Sequence, residues 1–207
     1  MKTVLIVYGT TEGQTRKVAE FIADALKARG VEIELVDSAT DHAAGVQPVY
    51  AAAIVCASLH QHSYQASIRR FLKDNKSWLA GIPAAFVAVS LTAVLEDDES
   101  RGELRQIAEK FCRDIGWTPA ITRHVAGALR YTEYDYFKRL VMKLIARKQG
   151  GDTDTSRDHE YTDWDDLTRF VDEFLAAVPL RGGGHLRAGA AAGPGPNDAT
   201  IEGGKAS

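Results

Sequence analysis

The sequence predicts an α/β fold in which five parallel strands, in the order 2-1-3-4-5, form a doubly wound sheet covered by helices. Short runs rich in β-branched residues alternate with longer stretches whose apolar residues recur at helical spacing, a pattern typical of repeated β–α units. The 207 residues are 45% hydrophobic and 26% charged, enough for one core without disulfide or metal support. The net charge of −3 argues against nucleic acid as a partner.

Most of the predicted strands are continuous apolar runs, as expected for strands that are buried on both faces. The second is different because apolar and charged residues alternate in it, and a strand with one buried face suits an edge of the sheet. The five predicted strands span residues 4–8, 31–36, 51–57, 84–90 and 121–129.

The intervening segments predict helices at about 14–29, 64–76, 104–115 and 163–178, and the first, second and last of these have an apolar stripe. Residues 130–162 separate the fifth strand from the last helix, where a few residues are usual, so this segment is an insertion of functional interest. We therefore expect one domain, 1–178, with an insertion at about 130–162. Residues 179–207 are rich in Ala, Gly and Pro and predict a disordered tail.

The cysteines and the first strand indicate where the protein works. Cys56 and Cys112 lie in no CxxC or Cys/His ligand spacing, so we expect two buried, reduced thiols and no metal site. The apolar run at 3–8 is too short for a signal peptide or a spanning helix. We expect a cytoplasmic protein.

A hydroxyl-rich segment between the first strand and the first helix predicts a phosphate site. Backbone N–H groups at a helix N-terminus attract anions, the hydroxyls of Thr10, Thr11 and Thr15 add donors, and Gly13 permits close approach. The segment is neither a GxGxxG fingerprint nor a P-loop, which favours one phosphoryl group held by neutral donors. The alternative is a helix capped by Thr10 or Thr11, but the position at the first β–α junction favours the phosphate site.

This T-x-x-G-x-T segment resembles the phosphate loop of the flavodoxin family. The resemblance implies an FMN cofactor whose phosphate is bound by Thr10, Thr11, Gly13, Gln14 and Thr15, with Glu12 contributing only its N–H.

Two further loops, after the third and fourth strands, would then face the flavin ring. Their polar groups and amides would bond the ring, and Leu59, Leu91 or Tyr64 would cover its faces. No catalytic residue is assigned; His60 and His62 are candidate proton donors, although histidines in polar loops are more often structural. The ring-binding residues expected from these loops are Ser58, Leu59, His60, Ser90, Leu91 and Thr92.

The insertion contains an apolar stripe with a basic flank at 134–148. This pattern indicates a membrane-surface helix, an anionic-ligand site, or a helix packed on its own domain with a solvated basic face.

The motifs in and around the insertion resemble one branch of the superfamily in particular. The runs G-A-L-R-Y (127–131), Y-D-x-F (134–137), G-G-x-T-D-T (150–155) and Y-T-D-W (161–164) are similar to the menaquinone-dependent protoporphyrinogen IX dehydrogenase branch of the flavodoxin superfamily. The resemblance implies FMN-dependent oxidation of protoporphyrinogen IX in haem biosynthesis, with electrons passed to menaquinone or ubiquinone. The basic insertion would then contact the inner face of the cell membrane, and Arg130 and Arg139 would approach the propionates.

Two other functions stay open. One is a flavodoxin-like electron carrier without its own substrate, which the acidic run at 96–99 favours and the scarcity of aromatic ring clamps disfavours. The other is an FMN-dependent quinone reductase that uses a nicotinamide donor.

Overall fold

The computed structural model describes residues 3–95, 97–129 and 159–178, in which strands and helices alternate along the chain. A single 3₁₀ turn, Thr92–Val94, follows the fifth strand element. The elements in chain order are β1 Thr3–Gly9, α1 Gln14–Ala28, β2 Glu32–Asp37, α2 Asp41–Ala44, β3 Ala52–His60, β4 Ser63–Tyr64, α3 Ala66–Leu79, β5 Ala84–Ser90, α4 Asp98–Ile115, β6 Ile121–Ala126, β7 Ala128–Leu129, β8 His159–Glu160 and α5 Trp164–Ala177.

The main sheet has five parallel strands in the order β2-β1-β3-β5-β6. This is the predicted order 2-1-3-4-5 once the short β4, which pairs antiparallel with the end of β3, is set aside. The alternating strand, β2, lies at an edge as predicted. The chain adds β2 on one side of β1 and the later strands on the other, so the order of winding reverses between β1 and β3. A crevice for a ligand is expected at the carboxyl ends of these two strands.

Two apolar layers cover the sheet and explain the continuous apolar strands. Leu5 and Val7 of β1 face the layer formed by α3 and α4, whereas Val4 and Ile6 face the layer formed by α1 and α5. All four side chains are fully buried. Because both faces of β1, β3 and β5 are covered, their carboxyl ends are held rigidly and can support a binding site.

The predicted fifth strand, 121–129, is wrong in its extent because it breaks at Gly127. The Gly127 N–H donates to the Ser90 carbonyl oxygen (3.0 Å) and its carbonyl accepts from the Tyr161 N–H (3.1 Å). These bonds turn the chain out of the main sheet, and residues 128–129 pair antiparallel with β8 instead.

The predicted third helix, at about 104–115, also differs, because α4 begins at Asp98 rather than at 104. The Asp97 carboxylate caps it by accepting from the Ser100 N–H (3.0 Å) and hydroxyl (2.9 Å). Asp98 and Glu99 lie in the first turn, where the helix dipole favours negative charge.

The helix predicted at 134–148 lies outside the described residues, as do Arg130, Arg139 and the tail at 179–207. The division into domain, insertion and tail therefore stays a prediction. Among the helices that the structure describes, none has the length and apolar character needed to cross a bilayer. Within the same residues, no group of three His, Cys, Asp or Glu side chains could hold a metal ion.

Candidate cofactor site

A cavity of about 550 Å³ opens at the carboxyl ends of β1, β3 and β5. Its walls come from the loops after these strands, from α4, and from residues 127–128. Every residue predicted to bind the cofactor lines this cavity except Gly13: the lining includes Thr10, Thr11, Glu12, Gln14, Thr15, Ser58, Leu59, His60, Ser90, Leu91 and Thr92. Segments far apart in the sequence therefore converge on one concave site.

The loop between β1 and α1 presents a helix N-terminus to the cavity. Gly13 is the N-cap residue with φ of 90°, a conformation that suits glycine, and no side chain of its own caps the helix. Its N–H donates to Thr10 Oγ1 (2.9 Å), which shapes the loop. The first turn of α1 is thus not capped in the ordinary way, which favours the phosphate site over a capped helix.

Thr15 supplies the clearest sign of a missing partner. The residue is 1% exposed, and its hydroxyl oxygen is buried without a hydrogen-bond partner among the described residues. An unsatisfied buried hydroxyl costs about 1–3 kcal/mol. A phosphoryl oxygen in the adjacent cavity would satisfy it, so the residues present fit a phosphorylated cofactor.

The side chain of Gln14 binds the segment that follows the insertion and not the cavity. Its amide donates to Thr162 Oγ1 (2.9 Å), and the Thr162 hydroxyl donates to the Ala126 carbonyl oxygen (2.8 Å). Nearby, Lys17 Nζ lies 3.1 Å from Glu160 Oε2. Gln14 can therefore offer the phosphate only its backbone N–H, while its side chain ties the phosphate loop to the segment that follows the insertion.

The β3–β4 hairpin forms the second wall. Leu59 pairs with Tyr64 across it, and its turn places Gln61 (φ 45°) and His62 (φ 64°) in the left-handed region. Turns of this kind usually contain Asn-Gly, so two larger side chains here store backbone strain. His62 Nε2 lies 3.0 Å from Glu103 Oε1 and joins the hairpin to α4.

Gln65, which sequence reasoning missed, connects two walls of the cavity. Its Oε1 accepts from the Ser58 N–H (3.1 Å), and its Nε2 donates to Thr11 Oγ1 (3.3 Å) and to Ser58 Oγ. A Cβ on Gly9 would lie 2.5 Å from Ile68 Cγ1 and 3.2 Å from Gln65 Oε1. Gly9 is therefore required at the end of β1 so that α3 and the Gln65 amide can approach.

The third wall follows β5. Ser90 is 6% exposed, and its hydroxyl oxygen accepts from the Ala93 N–H (3.2 Å) at the 3₁₀ turn. Leu91 and Thr92 are half-buried at the cavity edge.

Tyr64 does not cover the ring site as expected, because its side chain packs in the core with ring centroids 5.1 Å from Phe86 and 4.7 Å from Phe111. No aromatic ring of Phe, Tyr or Trp lines the part of the cavity that the structure describes.

The two cysteines are free and buried, and neither lines the cavity. Burial raises the pKa of Cys112 to about 11 and raises that of Cys56 further. Both thiols are therefore neutral at physiological pH, which agrees with the expected reduced pair.

Comparison with known proteins identifies the fold family. Residues 5–156 match the model of the flavodoxin domain. The chain belongs to the flavodoxin family. Its fold is that of oxidised flavodoxins 1 and 2 from Bacillus cereus, with TM-scores of 0.54 and 0.52 at 16% and 17% identity; the alignments cover 86% and 84% of this chain and 99% of each flavodoxin.

Curated relatives narrow the family further. A protein of Escherichia coli (strain K12) named protoporphyrinogen IX dehydrogenase [quinone] is 32% identical over 173 residues, 84% of this chain and 94% of the relative. A protein of the same name from Leishmania major is 31% identical over 180 residues, 85% of this chain and 75% of the relative. Within the flavodoxin superfamily, the chain thus belongs to the protoporphyrinogen IX dehydrogenase branch.

The cofactor of this flavodoxin-family protein is FMN, and the protein is a flavin-dependent oxidoreductase. The orphaned Thr15 hydroxyl and the uncapped N-terminus of α1 are the features that fit the FMN phosphate. The loops after β3 and β5, with α4 and residues 127–128, supply the remaining cavity walls.

Proposed function

We propose that this protein oxidises protoporphyrinogen IX to protoporphyrin IX and passes the electrons through FMN to a membrane quinone, in haem biosynthesis. The observation that carries the proposal is the similarity to the Escherichia coli relative, which extends over 94% of that protein. An alignment of 173 residues is long enough to span the expected FMN domain together with the insertion, which supports the proposal.

FMN, when bound, would supply the two-electron redox chemistry that links the macrocycle to the quinone. In this proposal the residues of the chain hold and orient the cofactor. Thr10, Thr11 and Thr15 would donate to the phosphate together with the N–H groups of Glu12, Gln14 and Thr15, since the Gly13 N–H is used by Thr10 Oγ1. Ser58, His60, Ser90 and Thr92 would bond the polar edge of the ring. The leucines at 59 and 91 cover part of its faces.

The absence of aromatic rings from the described cavity lining supports a substrate role. A ring that is not enclosed between aromatic side chains leaves a face to which a large planar macrocycle can be applied. A pure electron carrier needs no such opening, since its partner only has to approach the flavin edge.

The position at which the insertion starts supports its participation. Ala128 lines the cavity, and Leu129 pairs with His159 in the β7–β8 ladder. Arg130 follows directly, so we propose that Arg130, with Arg139, binds the propionates. We further propose that the basic amphipathic segment 134–148 contacts the inner face of the cell membrane, where menaquinone or ubiquinone is found.

The acidic run that favoured an electron carrier has a local explanation. Asp97 caps α4, and Asp98 and Glu99 occupy its first turn. These charges stabilise the helix N-terminus, so a docking surface for a redox partner is not needed to account for them.

The test is an assay with the FMN-loaded protein, protoporphyrinogen IX and a menaquinone analogue under anaerobic conditions. Each two-electron oxidation of the macrocycle should convert one quinone to quinol, and porphyrin fluorescence should rise faster than without enzyme. If the fluorescence follows the enzyme-free rate, the dehydrogenase proposal is wrong. Quinone reduction by a nicotinamide donor without porphyrinogen would instead favour the quinone reductase.

The insertion is tested separately. Deletion of 134–148 should abolish turnover or vesicle binding and leave FMN binding intact, whereas turnover and vesicle binding that are both preserved would contradict the assigned role. Arg130→Ala and Arg139→Ala should raise the KM for protoporphyrinogen. The matched control is Arg113→Ala, whose 69% exposed side chain lies at the far end of α4.

A further inference from the structure

Gln65 is the residue immediately before α3, and its side-chain amide is bonded at both ends to loops of the FMN cavity. It does not cap its own helix. The amide instead reaches the end of β3 at Ser58 and the phosphate loop at Thr11. The two loops that it joins are those expected to hold the ring and the phosphate.

The orientation of the amide follows from the Ser58 N–H, which can only donate. The amide atom 3.1 Å from that N–H must therefore be the acceptor, Oε1. The other end is then Nε2, a group that only donates, so the hydroxyl oxygens of Thr11 and Ser58 accept from it. Gln65 thus occupies an acceptor site on the oxygens of two hydroxyl groups at once.

We propose that Gln65 is a positioning residue that directs the hydroxyl protons of Thr11 and Ser58 into the cavity as donors to FMN. A hydroxyl carries one proton, and when its oxygen accepts from Nε2 that proton is left to be donated. Both residues line the cavity. An FMN phosphoryl oxygen beside Thr11 and an acceptor atom of the ring beside Ser58 are the matching groups.

The surroundings hold the amide in place. Ser58 is 8% exposed, and Gly9 leaves room for Gln65 Oε1, which would lie 3.2 Å from a Cβ at that position. The inference concerns FMN binding alone and does not rest on the proposed substrate, so turnover of protoporphyrinogen is not its readout.

The test is Gln65→Glu in two backgrounds, wild type and Thr11→Val/Ser58→Ala. The carboxylate has nearly the same shape and keeps the bond from the Ser58 N–H, but it only accepts, so both hydroxyls must turn toward it. In the wild type we expect an FMN Kd at least tenfold higher, measured by quenching of flavin fluorescence. The Tm of the apoprotein should not fall.

The double-mutant background separates hydroxyl orientation from simple charge repulsion. If Gln65 acts through the hydroxyls, Gln65→Glu should change the Kd less than about twofold where they are absent, since there is nothing left to reorient. An equal fold-change in both backgrounds, or an unchanged Kd in the wild type, would overturn the proposal.

A neutral variant covers the case in which Gln65→Glu does not fold. Gln65→Met has similar length and no amide, so the hydroxyls lose their fixed direction without any added charge. It should raise the Kd in the wild type and not in the double mutant. A raised Kd in both would show that Gln65 only supports the packing of α3.

Discussion

Replacing Thr15 by valine separates the effect of its hydroxyl on the protein from its effect on FMN. Valine has nearly the same shape, so the change removes the hydroxyl and little else. In the apoprotein that hydroxyl is buried and unpaired among the described residues, at a cost of about 1–3 kcal/mol. If about 1 kcal/mol is recovered, the Tm of the apoprotein should rise by about 2–4 °C for a chain of this size.

The same substitution should weaken FMN binding. A hydrogen bond to a charged group contributes about 1.5–3 kcal/mol, so its loss should raise the FMN Kd by roughly 10- to 150-fold. Apoprotein melting and a flavin fluorescence titration measure the two effects. The matched control is Thr168→Val on α5, whose hydroxyl donates to its own helix at the Trp164 carbonyl oxygen (3.0 Å). An unchanged Kd for Thr15→Val would refute a phosphate contact at this hydroxyl.

Three further substitutions test the framework of the site. Gly9→Ala would place a Cβ 2.5 Å from Ile68 Cγ1, and such overpacking should lower the free energy of unfolding by about 1–3 kcal/mol in urea titrations. Thr162→Val removes the hydroxyl that joins the phosphate loop to β6. The free energy of unfolding should fall by about 1–3 kcal/mol, and hydrogen exchange at residues 159–163 should become faster. The Tyr50 hydroxyl donates to the Glu34 carboxylate (2.6 Å) and lowers the pKa of that carboxyl; His42 lowers it by a smaller amount. Because a lowered pKa stabilises the fold only while the carboxylate is charged, the advantage of wild type over Tyr50→Phe should shrink as the pH falls through that pKa.

These substitutions have internal controls. Gly102 lies in α4 with nothing within 4 Å of its would-be Cβ, so Gly102→Ala should stabilise by about 0.5–1 kcal/mol, the usual helix preference. Equal effects at Gly9 and Gly102 would contradict the close-approach argument. A wild-type advantage over Tyr50→Phe that is independent of pH would show that Glu34 does not sense the hydroxyl. Hydrogen exchange at 159–163 that is unchanged in Thr162→Val would show that the bond between Gln14 and Thr162 does not hold this segment in place.

The sheet and the phosphate loop were predictable because their signals are local. Strands buried on both faces must be apolar throughout, and the order of apolar runs and helical stripes along the chain implies the topology. Gly13 and the threonines beside it are likewise contiguous. The start of α4 was missed because its cap, Asp97, lies within an acidic run that looks like a solvated surface.

The contacts that organise the cavity were not predictable, and their sequence separation explains why. Gln65 and Thr11 are 54 positions apart, and Gln14 and Thr162 are 148 apart. A single polar residue has no periodicity, and its partner is identified only when the fold brings the two together. The same holds for Tyr64, whose aromatic ring could face a ligand or the core equally well on sequence grounds.

The β7–β8 ladder makes the insertion a replaceable module. Since Leu129 and His159 are paired neighbours, the chain departs from the flavin-binding framework and rejoins it at a single joint. An Asn-Gly turn could close that joint, and longer or shorter segments could be spliced there at little entropic cost, because doubling a loop costs only about 0.6 kcal/mol. Under the proposed role of the insertion in substrate binding, an exchange of this segment between relatives would change the substrate and leave the redox centre intact.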